Sequence, residues 1–264
     1  MTQPSSDAPQ PEGAGRVAVV TGACRGMGLA ISERLAGMGY RVAMTDVLGD
    51  EVAAASATLN ARGHDTTALT LDVGREEDRA AFRQTLGRED FDRIAVLVNN
   101  AGISPKHDGR ALPPSAIPLD EWEQVMAVNI TGPFRLSQVC LPPMRRAGWG
   151  RIINISSRGG RSPANVAGVH YVVTKTGMLG LTRSFAREVA AEGITVNTIC
   201  PGRITGAMSD GSPREVIDRV LDTIPVRRFG MPDDIAALVG FLASREAGFI
   251  TGAVHDINGG ALMI

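Results

Sequence analysis

From Arg16 onward, short runs rich in β-branched residues alternate with longer stretches in which apolar positions recur at helical spacing. A short, continuously apolar run fits a strand covered on both faces, and stretches of this length between such runs fit crossover helices. The pattern predicts strands over 17–21, 41–45, 67–71, 94–98, 151–155, 195–199 and 254–257, with helical stretches starting near Met27, Gly49, Glu76, Asp120, Tyr171, Pro213 and Pro232. Asp120 and Glu123, just before Val125, Met126 and Val128, read as a capping box. The fold class is therefore α/β: a single doubly wound parallel sheet of about seven strands with helices on both faces. No internal repeat and no linker interrupts 16–264, which reads as one domain. Residues 1–15, rich in Pro, Ser, Gln and Gly, read as a disordered tail without the basic and apolar segments of a secretory signal.

In such a sheet a ligand lies across the carboxyl ends of the strands, so the residues that follow each strand carry the functional information. After the first strand comes Thr21-Gly22-Ala23-Cys24-Arg25-Gly26-Met27-Gly28, opening into a helix. Glycines there let backbone approach a pyrophosphate, whose charge the helix N-terminus favours. The spacing Gly-x-x-x-Gly-x-Gly departs from the more familiar Gly-x-Gly-x-x-Gly. Asp46 stands 18 residues beyond Gly28, where a carboxylate can accept hydrogen bonds from ribose hydroxyls or cap the next helix.

A rarer pair carries the chemistry. The chain has two tyrosines, Tyr40 and Tyr171, and two lysines, Lys106 and Lys175, and one of each falls at i and i+4, on one face of a helix. Proton exchange with an alcohol oxygen suits that pair, because a free phenol titrates near 10 and a fixed ammonium nearby favours phenolate.

Composition narrows the partners. With 27 Lys+Arg against 28 Asp+Glu the net charge is −1, which gives no electrostatic reason to bind nucleic acid or an anionic membrane. No stretch approaches 18 consecutive apolar residues. Cys24, Cys140 and Cys200 are odd in number and widely spaced, which argues against a disulfide framework or a metal site and for a reducing cytoplasm.

From Arg16 to its end the chain resembles the classical short-chain dehydrogenase/reductase family. The resemblance rests on seven motifs in order: the 21–28 glycine segment, Asp72, Asn99-Asn100-Ala101-Gly102, Asn129, Ile155-Ser156-Ser157, Tyr171-Val-Val-Thr-Lys175 and Pro201-Gly202. It implies Tyr171 as general acid/base, Lys175 as ribose ligand and pKa tuner, Ser157 rather than Ser156 as the hydrogen-bond donor to the substrate oxygen, and Asn129 as holder of a water linking Lys175 to solvent. It implies a nicotinamide cofactor held by Gly22, Arg25, Gly26, Met27, Gly28, Asp46, Asp72, Val73, Asn100, Ala101, Gly102, Tyr171, Lys175, Pro201, Gly202 and Ile204. Asp46 favours NAD, while Arg25 would favour the phosphate of NADP. Where relatives often place a threonine near the nicotinamide, this chain has Gly206, with Thr205 adjacent.

The family further implies a homotetramer packed through the helices beginning near Asp120 and Tyr171, consistent with the apolar positions Met178, Leu181 and Phe185. The C-terminal third looks especially like 3-oxoacyl-acyl-carrier-protein reductases. Those relatives often carry an arginine 21 residues after the catalytic tyrosine, where this chain has Glu192, although Arg145 and Arg146 remain nearby. The leading expectation is thus NAD-linked interconversion of a small secondary alcohol and its ketone. The carrier-linked reductase is the alternative, and a non-catalytic dinucleotide sensor is less favoured. His170 and the long segment 103–119 are candidates to contact substrate.

Overall fold

In the computed structural model, which describes residues 11–162, 167–206, 218 and 220–264, seven parallel strands lie in the order β3-β2-β1-β4-β5-β6-β7. They are β1 (Val17–Thr21), β2 (Arg41–Asp46), β3 (Thr66–Thr70), β4 (Ile94–Asn99), β5 (Gly150–Ile155), β6 (Ile194–Pro201) and β7 (Val254–Ile257). The helices are α1 (Gly26–Gly37), α2 (Gly49–Ala61), α3 (Glu76–Leu86), α4 (Arg88–Asp92), α5 (Leu119–Met126), α6 (Gly132–Ala147), α7 (Val169–Val189) and α8 (Pro232–Leu242). Successive strand residues point to opposite faces. Ala18 and Val20 of β1 therefore pack with Ile31 and Leu35 of α1 and with Ile235 and Val239 of α8. Val17 and Val19 meet a second core containing Leu136, Cys140, Phe185 and Val189 from α6 and α7.

The chain order reverses between β1 and β4, leaving a crevice at the carboxyl ends of the central strands. Every strand read from the sequence exists, with no end moved by more than two residues. The helix starts at Gly49, Glu76 and Pro232 coincide with those read from the sequence, and the other described starts differ by one or two residues. The stretch read as starting at Asp120 is α5, a π-turn over Ala127–Thr131, and α6. No capping box forms at Asp120: the chain enters from Pro118, Leu119 is already helical, and the Asp120 carboxylate takes only the N–H of neighbouring Glu121. One residue inside the helix, Asp120 no longer stands where an N-cap side chain reaches. Tyr171 is the third residue of its helix rather than the first, and α4 has no counterpart in the reading.

Residues 11–15, read from composition as part of a disordered tail, are ordered. The Gly13 N–H donates to the Met38 carbonyl at 3.0 Å, so the chain is docked against the end of α1 from about Pro11. Residues 1–10 and the start of the helical stretch expected from Pro213 lie outside the described residues, while residues 218 and 220–222 of that stretch are helical.

Candidate active site

The glycine segment bends from β1 into α1 at the reversal point. Gly22 and Gly26 have φ of +65° and +55°, which an L side chain rarely adopts. A Cβ on Gly28 would stand 2.0 Å from the Gly22 carbonyl oxygen, so the turn closes only with glycine there. The Thr21 hydroxyl accepts the N–H groups of Asn100 and Ala101, and the Asn100 amide donates to the Thr21 and Gly22 carbonyls at 2.9 Å. These bonds lock the end of β4 to the loop. Asn100 Oδ1 is buried there with no hydrogen-bond partner among the described residues.

Arg25 caps α1 with no side-chain bond, so the first N–H groups of α1 are left for a ligand or water. Asp46 ends β2 beside this turn. Its carboxylate is fixed by the N–H of Cys24 at 3.1 Å and that of Leu48 at 3.2 Å. Glu51 of α2, which sequence reasoning passed over, reaches back to the same place, 3.7 Å from Arg25 and within a weak bond of the Cys24 thiol. Burial first, and then Asp46, push that thiol up to about 12, so it stays protonated near neutrality.

Asp72 closes a turn after β3, accepting the Gly74 N–H, and Val73 is buried behind it. Beyond β6, the Gly202 N–H is held by Ile257 and Ile204 bridges to Gly230. The residues marked for cofactor contact thus line the carboxyl ends of β1, β2, β3, β4 and β6. An uncapped helix start, an open backbone turn, a fixed carboxylate and an orphaned amide oxygen together fit a dinucleotide.

The second cluster lies across β5. Ser156 and Ser157 both follow its last residue, yet they face different surroundings. Ser156 is buried and donates to the Lys175 carbonyl at 2.7 Å, which anchors α7. Ser157 acts on the Tyr171 phenol, pulling its pKa down, and accepts the Gly159 N–H. Its backbone is extended, the start of the 3-10 turn Arg158–Gly160 on which α7 packs.

Lys175 is buried and donates to the Ile155 carbonyl at 2.8 Å, with Nζ 5.7 Å from the Tyr171 ring centre. Asn129, in the π-turn, brackets Ile103: its Oδ1 takes the N–H at 2.8 Å and its amide donates to the carbonyl at 2.9 Å and to Thr174. A Cβ on Gly102 would lie 3.3 Å from both Asn129 Oδ1 and Lys175 Nζ, so Gly102 is what lets these two groups share one pocket.

The electrostatics of the chain alone depart from the sequence expectation. Burial pushes the Tyr171 phenol up, and the Ser157 hydrogen bond only partly offsets it. Burial also pulls the Lys175 ammonium down to about 8. At 5.7 Å from the ring the ammonium does not overcome the desolvation of the phenol.

His170 does not open onto a cleft. It is 1% exposed, accepts the Tyr171 N–H on Nδ1 at 2.7 Å and meets Glu121 through Nε2 at 2.8 Å. The acid partner lies 49 residues away in sequence, too far for any local pattern to reveal. Arg145 and Arg146 are occupied as well: Arg145 bonds Glu188 and Glu192 at 2.8 and 2.7 Å, and Arg146 bonds Asp92 at 2.7 Å.

Comparison with known proteins agrees with this architecture. The family described as Enoyl-(Acyl carrier protein) reductase, adh_short_C2, matches residues 22–261. The 3-oxoacyl-acyl-carrier-protein reductase FabG of Staphylococcus aureus is 40% identical over 248 residues, covering 93% of this chain and 98% of that protein. An acetoacetyl-CoA reductase of Shinella zoogloeoides is 40% identical over 253 residues, 94% of this chain and 99% of that one. A 3-oxoacyl-acyl-carrier-protein reductase of Brucella melitensis superposes with a TM-score of 0.90 at 33% identity, over 100% of this chain and 97% of that one. A Brucella melitensis reductase of the same description, solved with bound NAD, gives 0.87 at 33% identity over the same shares. The chain belongs to the short-chain dehydrogenase/reductase family and is an oxidoreductase acting on CH–OH groups and the corresponding carbonyls.

Proposed function

We propose that this oxidoreductase interconverts a small, free secondary alcohol and its ketone, with NAD(H) preferred over NADP(H) and Tyr171 as the acid/base. The observation that carries the reading is the convergence of Ser157, Tyr171 and Lys175 at the end of β5, joined to the glycine turn through Ala101, which packs on Gly22, and Gly102, which packs on Lys175. When bound, a nicotinamide dinucleotide supplies the hydride acceptor or donor and, oxidised, a positive charge. The Tyr171 hydroxyl exchanges the proton of the substrate oxygen, and Ser157 orients that oxygen by a hydrogen bond. Lys175 binds ribose hydroxyls and holds positive charge near the phenol, while Asn129 keeps the Ile103 backbone and the lysine pocket in place. Besides Tyr171 and Lys175, the residues that hold the dinucleotide are Gly22, Arg25, Gly26, Met27, Gly28, Asp46, Asp72, Val73, Asn100, Ala101, Gly102, Pro201, Gly202 and Ile204.

Glu51 strengthens the case for NAD. A ribose phosphate in this corner would meet Asp46 and Glu51, and the guanidinium able to pair with it, Arg25, already faces Glu51. The NAD in the Brucella melitensis relative supports the same choice.

The substrate assignment is carried by the paired arginines. An acidic carrier protein is steered by free basic groups beside the cleft. Here Glu192 and Glu188 occupy Arg145, and Asp92 occupies Arg146. The 40% identity to a carrier-linked reductase favours the second reading, reduction of a 3-oxoacyl group on its carrier. Turnover of alcohols with NAD and ketones with NADH, beside acetoacetyl-carrier protein, separates the two. The first reading expects faster turnover of free substrates, and a Glu192→Arg variant gaining only on the carrier-linked compound. Efficient turnover of the carrier-linked compound alone by the unmodified protein sinks it.

A cytoplasmic homotetramer completes the proposal. Met178 and Phe185 are buried within the single chain, so the surplus of apolar positions expected on α7 is absent at those two. Exposed apolar surface lies instead at Phe134 of α6 and at Phe249, Met263 and Ile264. Light scattering at micromolar concentration should give about four chain masses, and a monomer mass refutes the assembly.

A further inference from the structure

The first turn of α7 presents a problem that the active-site reading leaves open. A helix start leaves four N–H groups without helical partners. The N-cap here is Gly168, which has no side chain to offer, and Tyr171 is the third helical residue. Its N–H is satisfied by the ring of the residue before it: His170 Nδ1 accepts at 2.7 Å. A nitrogen that accepts carries no proton, so the proton of neutral His170 is on Nε2, directed at Glu121 Oε1 2.8 Å away. Glu121 thereby selects the tautomer that lets His170 cap the helix at the backbone of Tyr171.

The other carboxylate oxygen of Glu121 is taken from a different direction. His107, in the long segment between β4 and α5, places Nε2 at 2.6 Å from Oε2. The Glu121 side chain is 13% exposed, His170 is 1% exposed, and the two imidazoles together hold the carboxyl below its ordinary range, His170 first. One carboxylate thus joins the segment 103–119 to the helix start that carries Tyr171. Ile103, at the head of that segment, is itself bracketed by Asn129.

We propose that Glu121 is a positioning residue for the reaction: through His170 it sets the placement of the Tyr171 hydroxyl, and through His107 it latches the 103–119 segment beside the substrate. The inference rests on the reading of Tyr171 as acid/base. Neither histidine exchanges a proton with substrate in this scheme. Positioning errors near 1 Å cost up to about a hundredfold in rate, so a cap acting one residue from the acid/base has a measurable effect on kcat.

The test compares Glu121→Ala, Glu121→Gln and His107→Ala in the full chain, with NADH affinity from fluorescence as the check on folding. Glutamine keeps an acceptor for His170 and an amide for the other ring. Glu121→Ala should lower kcat about tenfold with NADH affinity unchanged. Glu121→Gln should recover most of that loss. His107→Ala should act mainly on KM, raising it several-fold. In nitrogen and proton NMR, the His170 Nε2–H should exchange slowly in the wild type and the Gln variant and rapidly in the Ala variant. Unchanged kcat and KM in Glu121→Ala overturn the proposal, as does a Gln variant as slow as the Ala variant. Rapid exchange in the wild type overturns the tautomer assignment. Wild-type turnover by Tyr171→Phe would instead remove the acid/base reading, leaving the imidazole signals to report on the Glu121 network separately.

Discussion

The two halves of the site are built differently. Around β1, β2 and β4 the surfaces that fit the dinucleotide are mostly backbone: positive-φ glycines, an uncapped helix start, and Asn100 tying two strand ends together. Around β5 and α7 the groups that matter are side-chain atoms, Ser157, Tyr171 and Lys175, held by partners drawn from distant segments. A backbone site tolerates many side chains and fails where a Cβ intrudes, as at Gly28. A side-chain site tolerates backbone variation and fails when one atom is removed.

The sharpest way to break this contrast is Tyr171→Phe. It deletes one oxygen at nearly constant volume, so turnover should fall at least about a hundredfold while NADH affinity is nearly kept. Steady-state kinetics with a fluorescence titration check it, and parallel loss of binding would mean that the two halves are not separable.

Next in size is the strain of burying Lys175. Its folded pKa, about 8, lies below its ordinary value near 10.5 because burial disfavours the ammonium. Above about 10.5 the group is neutral in both states and imposes no penalty. As pH falls toward 8 the unfolded chain takes the proton first, and stability is lost, fully so below about 8. The penalty is at most about 3 kcal/mol near neutrality. Lys175→Met also gives up the bond to the Ile155 carbonyl. The variant's melting temperature relative to wild type should therefore be more favourable at pH 7 than at pH 10.5. A difference independent of pH contradicts the buried ammonium.

The smallest effect expected is on the cofactor side. Asp46→Asn with Glu51→Gln should shift the ratio of NADH to NADPH affinity about tenfold toward NADPH. Exposure of Glu51 screens its share, so each charge is worth far less than the ~4 kcal/mol of an unscreened pair at 4 Å. Parallel titrations with both reduced cofactors measure the ratio, and no movement would remove charge as its basis.

The contrast also marks what can be read without coordinates. The glycine segment and Asp46 are close in sequence, joined by one strand and one helix of standard length, so spacing alone points to their meeting. Tyr171 and Lys175 share a helix face for the same reason. Glu51 escaped because an acid in the first turn of a helix has an ordinary explanation in the helix dipole. The direction of the Tyr171 shift escaped because desolvation depends on what packs around a group rather than on which residue lies four positions away.

By itself, the sequence determined the alternation of strand and helix, and the residue types able to exchange a proton and hold a dinucleotide. These follow from local periodicity and from chemistry carried within each segment. Only the tertiary structure gave the two adjacent serines their different surroundings, Ser156 donating to the Lys175 carbonyl and Ser157 acting on Tyr171, since adjacent residues at a strand end point to opposite sides. It alone decided that Arg145 is occupied by two acids and that His107 and His170 share Glu121. Hydrogen bonds and ion pairs are won or lost within a few ångströms, and those distances are set by how distant segments pack.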